Sequence, residues 1–445
     1  MRKIVNSLIK CLVRNMINIR FTWPLVFIYS KVIKEVSPLD KFDRGNKKNK
    51  TILALNPDRF RGDLKILSEK FRVLEIPFDW QGKILSLYWP KYFSKKVPFD
   101  VYCNPVGNKS LLKMQKRFRS FLRIFLKDLY KRLSIDCVIG AGVYYRHDYD
   151  WGSVSNEIGI PYIVLHKENL KEAKKTKEEF IDVVRTLNKF KGSHIIVHSQ
   201  LIKDLLVQSE YVNAEKVSSL GCLRMDDFVC KIRDFKMKSN KRKKVVLFSF
   251  LYNAGIFKIG NDFEGHSKGW VTLFEHVHAS IARLAIENKE VDFIIKTKWG
   301  ANWIQAIEFH LKKYDIALEA IENLEIIVDV DIHKLIMESD VICCFNSTVM
   351  LEAAIAGLPV IVPYFDEALE PKYSDNVILK DYFYIFDVAH SVDEFEKLVI
   401  GRLDKKSVSR DCMEKRYEIF EKYVSTLEGN AKEKYTELIN KIIEG

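Results

Sequence analysis

The stretch SDVICCFNSTVMLEAAIAGLPVIVPYFDE, residues 339–367, decides the fold class of this chain. Its first part, VICCF (341–345), is short and apolar on every side chain, as a strand buried on both faces of a parallel sheet requires. Asn346-Ser347-Thr348 then supplies residues that cap helices, and 347–356 reads as a helix. Gly357-Leu358-Pro359 ends that helix and launches the next strand, PVIVP (359–363). Strand, helix and strand joined by tight turns is the repeating unit of a doubly wound α/β sheet. A helix opening beside two hydroxyls also presents free N–H groups and a positive dipole end, which suit a phosphate. Glu352 lies one turn beyond Thr348 on the same face, where a carboxylate can accept hydrogen bonds from ribose hydroxyls. Each residue taken singly is equally well a capped helix with an incidental acid; the combination is the informative part.

Working outward, the same alternation appears twice. TILALN (51–56), 71–77, IDCVIGAG (135–142), IPYIVLH (160–166) and SHIIVHS (193–199) read as strands, with helices at 110–133, near 150–158, at 172–190 and at 200–209. A basic polar stretch, CKIRDFKMKSNKRK (230–243), interrupts the pattern. It then restarts with strands KVVLFSF (244–250), VDFIIKT (291–297) and LEIIV (324–328), and with helices at 270–287, 302–313 and 331–338. The expected fold is therefore α/β, with two Rossmann-like doubly wound domains facing across a cleft, at 41–235 and 244–409. Ligands of such sheets sit at the carboxyl ends of the strands, where strand order reverses.

Composition fits this division. A chain of 445 residues is long for one core, and 47% hydrophobic with 29% charged residues is ordinary for a globular protein. The net charge of +13 points to an anionic partner. Eight cysteines without metal-ligand spacing fit a reducing compartment, so the expected location is cytoplasmic. Basic residues do not interleave with aromatics and no nucleic-acid module is present, so nucleic acid is not the expected partner.

Segment 339–367 resembles the nucleotide-binding half of GT-B glycosyltransferases, in which a strand, a small polar turn, a Glu and a Gly-x-Pro recur. It is similar above all to bacterial surface-carbohydrate and capsule transferases, and more loosely to CDP-glycerol, Kdo and sialic acid transferases. VHSQLIKDLLVQSEYVNAEKVSSLGCLRMDDF (197–228) looks like the end of that family's first domain, and WVTLFEHVHASIARLAIENKEVDFIIKTK (270–298) like the approach to its donor site. The resemblance implies a nucleotide-sugar donor on 244–409, bound by Asn346, Ser347, Thr348, Glu352 and the cations Lys296 and Lys298. It also implies C-terminal helices (410–445) that pack back toward the first domain. Relatives of the sialic acid and Kdo type carry His-Pro where this chain has Lys296-Thr297-Lys298, and an ammonium cannot serve as a near-neutral acid as imidazole can.

The implied activity is transfer of a sugar to a growing cell-surface glycan, such as a capsule or O-antigen, on a glycan or lipid-linked acceptor. A sugar-nucleotide epimerase, a polyol-phosphate transferase and an inactive assembly scaffold remain alternatives. Transfer needs a base near the acceptor hydroxyl. The loop YYRHDYDWGS (144–153) offers His147, Asp148 and Asp150 for it, while Arg59 and Arg61 can grip an anionic acceptor and His166 lies in a third loop. Asp148-Tyr149-Asp150 and Asp329-Val330-Asp331 mimic metal-binding pairs, but Asp331 reads as a helix N-cap, and no metal or other cofactor is expected. The glycine-containing stretch 253–270 matches no phosphate-loop motif and reads as a mobile loop.

Residues 1–40 form a basic segment. Ile4, Leu8, Leu12 and Met16 would share one helix face, and Phe21–Tyr29 is too short to span a bilayer and is interrupted by Trp23-Pro24. This segment either packs on the protein's own core or holds the enzyme at the inner face of the cytoplasmic membrane through Lys3, Lys10, Arg14, Arg20 and the apolar Phe21, Trp23, Leu25 and Phe27.

Overall fold

The computed structural model describes residues 19, 21–37, 50–77, 80–88, 98–145, 148–167, 169–233, 242–256, 268–298, 300–405 and 407–445. His147, the stripe Ile4–Met16 and most of the glycine-containing stretch lie outside them. The chain forms two compact units. One takes in the described residues up to Asn169, together with Phe180–Asp226 and Glu428–Gly445; the other comprises Leu170–Glu179 and Asp227–Leu427.

The first unit is built on seven strands: β1 (Lys34–Glu35), β2 (Thr51–Ala54), β3 (Arg72–Glu75), β4 (Cys137–Gly140), β5 (Tyr162–Leu165), β6 (His194–Val197) and β7 (Val217–Ser219). Their order is β1-β3-β2-β4-β5-β6-β7, parallel throughout except for β1. The period-two rule separates its core cleanly. Leu53, Leu74, Val138, Val164 and Ile195 point to one face, where Phe118, Leu122, Phe125 and Leu129 of helix Lys109–Leu133 cover them. Ile52, Val73, Cys137, Ile139, Ile163 and Ile196 point to the other, covered by Leu64, Leu67 and by Ala431, Tyr435 and Ile439 of the last helix, Ala431–Glu444. Asp226 fixes that helix by accepting hydrogen bonds from the N–H groups of Ala431 and Lys432 at 3.1 and 2.8 Å.

Pro24 does not interrupt the N-terminal apolar run. It stands in the first turn of a helix, Trp23–Val32, where a proline's missing N–H costs nothing. One side of this helix buries Leu25, Val26 and Tyr29 in the core; Leu25 is thus a core residue rather than an interfacial one. The other side exposes Trp23, Phe27 and Ile28, next to an exposed Phe21.

The second unit holds β8 (Lys243–Phe248), β9 (Val291–Lys296), β10 (Leu324–Ile327), β11 (Val341–Cys344), β12 (Val360–Pro363) and β13 (Asp387–Ala389). All are parallel, in the order β10-β9-β8-β11-β12-β13. Strand β11 is buried along its whole length, as the run 341–345 requires. The residues 410–445 divide: Ala431–Glu444 lies on the first unit's sheet, whereas helix Arg410–Tyr423 belongs to the second. Its Arg416 donates to the carbonyls of Ala354, Leu358 and Ile385 and so closes off the end of helix Val349–Ile355.

Candidate functional site

In the second unit the strand order reverses between β8 and β11, and the residues that follow these strands define the candidate donor edge. Asn346, directly after β11, takes the left-handed conformation at φ 47° that asparagine tolerates. Its side chain is committed to the protein. The amide nitrogen donates to Ala254 O at 3.0 Å and Asn376 O at 3.2 Å, and the oxygen accepts from Ile378 N–H at 3.0 Å. Gly255, at φ +77°, packs against it so closely that a Cβ would meet the Asn346 amide nitrogen at 3.0 Å. Asn346 therefore knits loops together and has no spare polar atom of its own to turn toward a donor.

Ser347 and Thr348 are half-buried at the helix opening, and the Ser347 hydroxyl accepts from Val349 N–H at 3.3 Å. Glu352 is buried, with one oxygen 3.3 Å from Nε2 of His333. The His333 ring in turn stacks on Phe228, centroids 4.3 Å apart and planes 13° off parallel. Asp331 caps the helix Ile332–Met337 as expected, accepting from His333 N–H at 3.0 Å and Lys334 N–H at 3.1 Å. That cap aims the first turn, and His333 with it, toward Glu352. The sequence signal was the spacing Asp331-Ile332-His333, which reads as capping alone until Glu352 is placed beside it.

Lys296 and Lys298 part company, because Lys296 is the last residue of β9 and Lys298 lies beyond it, where the strand's alternation no longer sets direction. Lys296 is buried, donates to Thr297 O at 2.5 Å and has its pKa lowered by burial, with Asp329 opposing; Lys298 is exposed. At the end of β8, Ser249 meets His278 Nε2 at 2.8 Å. His278 Nδ1 faces the Phe274 carbonyl at 2.6 Å, so it carries the proton and Nε2 accepts from the Ser249 hydroxyl. Burial lowers the His278 pKa to about 3 and keeps this ring neutral. Trp303 Nε1–H completes the set by donating to Ser249 Oγ at 2.8 Å.

In the first unit the reversal falls between β2 and β4, and the segments that follow those strands meet there. Asn56 donates to Asp148 Oδ1 at 2.5 Å. Burial raises the Asp148 carboxyl well above the usual range, against the lowering effects of a hydrogen bond from the Ala141 backbone and of the Arg59 charge. Arg59 is exposed, with its guanidinium 5.4 Å from the centroid of the Tyr145 ring, and Arg61 is exposed nearby in sequence. Asp150 is different: Arg119 Nε donates to one oxygen at 2.8 Å and the Tyr102 hydroxyl to the other. Both of its oxygens are engaged in tying the helix Asp148–Glu157 to its neighbours, a structural task rather than that of a base. His166 is fully buried at the end of β5, edge-on to Tyr144 at 5.6 Å. The next residue, Lys167, forms a buried ion pair with Asp63. Among the described residues no group of three His, Cys, Asp or Glu side chains is disposed to hold a metal.

No family model and no curated protein matches the chain. Solved structures do. The wall teichoic acid polymerase TagF aligns over 99% of this chain and 98% of its own, with a TM-score of 0.51 at 12% identity. The fold is GT-B. A protein assigned as a UDP-N-acetylglucosamine 2-epimerase from Listeria monocytogenes aligns over 89% of this chain and 97% of its own, with a TM-score of 0.50 at 11% identity. UDP-GlcNAc 2-epimerase from Neisseria meningitidis bound to UDP-GlcNAc gives 0.48 at 13% identity, over 88% of this chain and 100% of its own. At such identities the likeness is one of fold, and residue roles rest on the geometry above.

Proposed function

We propose that this protein is a metal-independent glycosyltransferase that takes a sugar from a nucleotide-activated donor and adds it to a cell-surface glycan. The observation that carries this reading is the carboxyl edge of the second sheet. Ser347, Thr348, the buried Glu352 and the exposed Lys298 follow β11 and β9 there, at and beside the reversal of strand order. In this reading the two hydroxyls and Lys298 face the donor phosphates and Glu352 accepts from the ribose. His333 shares Glu352 with the ligand.

On the first unit, Asp148 is the base. It stands at the reversal of strand order in the first sheet, directly at the start of helix Asp148–Glu157. On this unit the proton of the acceptor hydroxyl passes to Asp148 as the oxygen forms its bond to the anomeric carbon; on the second unit the nucleotide leaves with the bonding pair and Lys298 meets its charge. Asn56 holds the carboxylate in place, and Arg59 and Arg61 serve an anionic acceptor.

The exposed aromatic side of helix Trp23–Val32 supports placement at a membrane surface. Trp23 and Phe27 stack at 6.0 Å, and Lys31 and Arg132 each lie within 6 Å of the Phe27 ring, at 5.8 and 5.6 Å. Aromatic rings among cations suit an anionic bilayer interface. No helix of the described residues is long and apolar enough to cross a membrane.

Incubation with a panel of nucleotide sugars tests the proposal. A transferase without acceptor should slowly release free sugar and nucleotide, and an epimerase should return an isomerised sugar nucleotide instead. Failure to bind or turn over any member of the panel overturns the reading.

A further inference from the structure

The serine that follows β8 is held so that the place of its proton is fixed, and the proposed transfer gives it no part. Ser249 extends the sheet by one residue, since its N–H donates to the Lys296 carbonyl at 3.0 Å. Its hydroxyl meets side chains from two different helices. His278 of helix Val271–Glu287 brings Nε2 to 2.8 Å, and Trp303, in the first turn of helix Asn302–Lys312, brings Nε1 to 2.8 Å. Both partners are almost wholly enclosed, whereas Ser249 is half-buried.

Hydrogen-bond chemistry leaves one arrangement of this group. An indole N–H only donates, so Trp303 takes up one lone pair of the Ser249 oxygen. A carbonyl only accepts, so His278 Nδ1, facing Phe274 O, carries the ring's proton. The rings of Phe274 and Phe250 wall His278, with centroids 3.9 and 6.0 Å from its own, and burial keeps the ring neutral. Its Nε2 is therefore bare, and the Ser249 proton points at it. A hydroxyl has one proton and two lone pairs. The proton and one lone pair are taken up inside the protein, and among the described residues nothing meets the other lone pair. Ser249 thus turns an acceptor, and no donor, toward the carboxyl edge. Ser347 is the reverse: its oxygen accepts from Val349 N–H, which leaves its proton available to a phosphate.

That difference decides what can lie over each residue. A phosphate offers only acceptor oxygens, which a bare lone pair repels; the Ser249 oxygen requires an O–H or N–H. Strand β8 lies between β9 and β11, so this acceptor stands on the sheet edge between Lys298 and the pair Ser347-Thr348. In the donor reading those residues face the phosphates and Glu352 the ribose, with the base beyond the ribose. The group left to supply a hydrogen over β8 is the transferred sugar. We infer that Ser249 is a specificity residue of the donor site, whose oxygen accepts a hydrogen bond from a hydroxyl or amide N–H of that sugar. His278 and Trp303 act through it as positioning residues. The inference rests on the reading of the second sheet's carboxyl edge as the donor site and adds a chemical requirement, a hydrogen-bond donor on the sugar at this point. A site built to receive such a donor rejects a ligand that lacks it, because the protein atom is then left unpaired.

The test is calorimetric titration of the full-length protein with UDP-, GDP- and CMP-linked sugars and with UDP, GDP and CMP alone. Each nucleotide sugar that binds wild type is compared with its parent nucleotide, and the ratio of the two affinities is the readout. Ser249→Ala should weaken binding of the nucleotide sugar about fivefold and leave the parent nucleotide unchanged. Ser249→Thr keeps the hydroxyl and should restore the ratio. His278→Met fits among Phe250 and Phe274 and releases the serine proton, so the ratio should narrow there as well, with Ser249 still in place. Ser249→Ala leaves two buried nitrogens without their partner and can unfold the protein; in that event the Ser249→Thr and His278→Met variants carry the decision. A ratio unmoved in His278→Met and in a folded Ser249→Ala overturns the inference. So do equal losses for nucleotide sugar and parent nucleotide, which put the contact on the nucleotide. Binding of no nucleotide sugar by wild type sinks the donor-site reading itself, whereas normal wild-type binding with an unmoved ratio sinks only this inference.

Discussion

Arg416 offers the sharpest test of how the donor edge is held. Arg416 is 2% exposed, and its guanidinium makes four hydrogen bonds to three backbone carbonyls, with no carboxylate among the described residues hydrogen-bonded to it. Nη1 reaches Ala354 O at 3.2 Å and Leu358 O at 2.9 Å, while Nε and Nη2 share Ile385 O at 3.0 and 2.8 Å. Arg416→Met keeps most of the stem's packing and removes every donor. Each carbonyl left dry costs ~1–3 kcal/mol, and three of them set the upper end of the loss. Removing a guanidinium from the interior returns part of this, since burial disfavours the charge there and lowers its pKa. A net destabilisation of about 3–5 kcal/mol follows, or roughly 6–20 °C in Tm for a unit of this size. Differential scanning calorimetry measures it, with Arg416→Lys as the control, because one ammonium can serve some but not all of the three acceptors. Loss of less than ~1 kcal/mol in Arg416→Met would mean that water satisfies these carbonyls and that Arg416 does not hold the end of helix Val349–Ile355.

Three further outcomes are expected. The double variant Ser347→Ala/Thr348→Ala should weaken nucleotide binding by ~1–3 kcal/mol in a calorimetric titration, and wild-type affinity would remove both hydroxyls from the donor site. Stability should fall with acidity: His278 titrates at about 3 when folded against about 6.5 when unfolded, so between those values the unfolded chain binds a proton the native chain refuses. The loss is up to ~1.4 kcal/mol per pH unit below 6.5 and nil above it; His194, lowered to about 4, adds in the same sense. Urea midpoints at pH 7 and 5 should therefore lie closer together in His278→Gln than in wild type, and an unchanged gap would contradict the assignment. Finally, Trp23→Ser/Phe27→Ser should reduce co-sedimentation with anionic vesicles, and undiminished sedimentation would leave the aromatic side of that helix without a membrane role.

What could be read from the sequence was whatever depends on near neighbours in the chain. Strands such as Cys137–Gly140 and Val341–Cys344 are apolar on both faces because helices cover both, so a four-residue run announces its place in the sheet. Asp331 was legible as a cap because the N–H donors it accepts from lie two and three residues on. The edge strands β7 and β13 carry no such signal: VSS and DVA are short and partly polar, and only their neighbours' open hydrogen bonds recruit them. The site residues failed or succeeded on the same criterion. Asp148 and Asp150 look alike in YYRHDYDWGS, yet Arg119 and Tyr102 claim one and Asn56 the other, across 31, 48 and 92 residues of chain. Asn346 resembles a ligand-binding residue until Ala254, Asn376 and Ile378 are found to occupy its whole amide. The ion pair of Lys167 with Asp63 is the extreme case, since one residue follows β5 and the other opens helix Asp63–Leu67, and only the strand order brings them together. A motif names the residue types a site needs; the partners that decide whether each is free to act come from the fold.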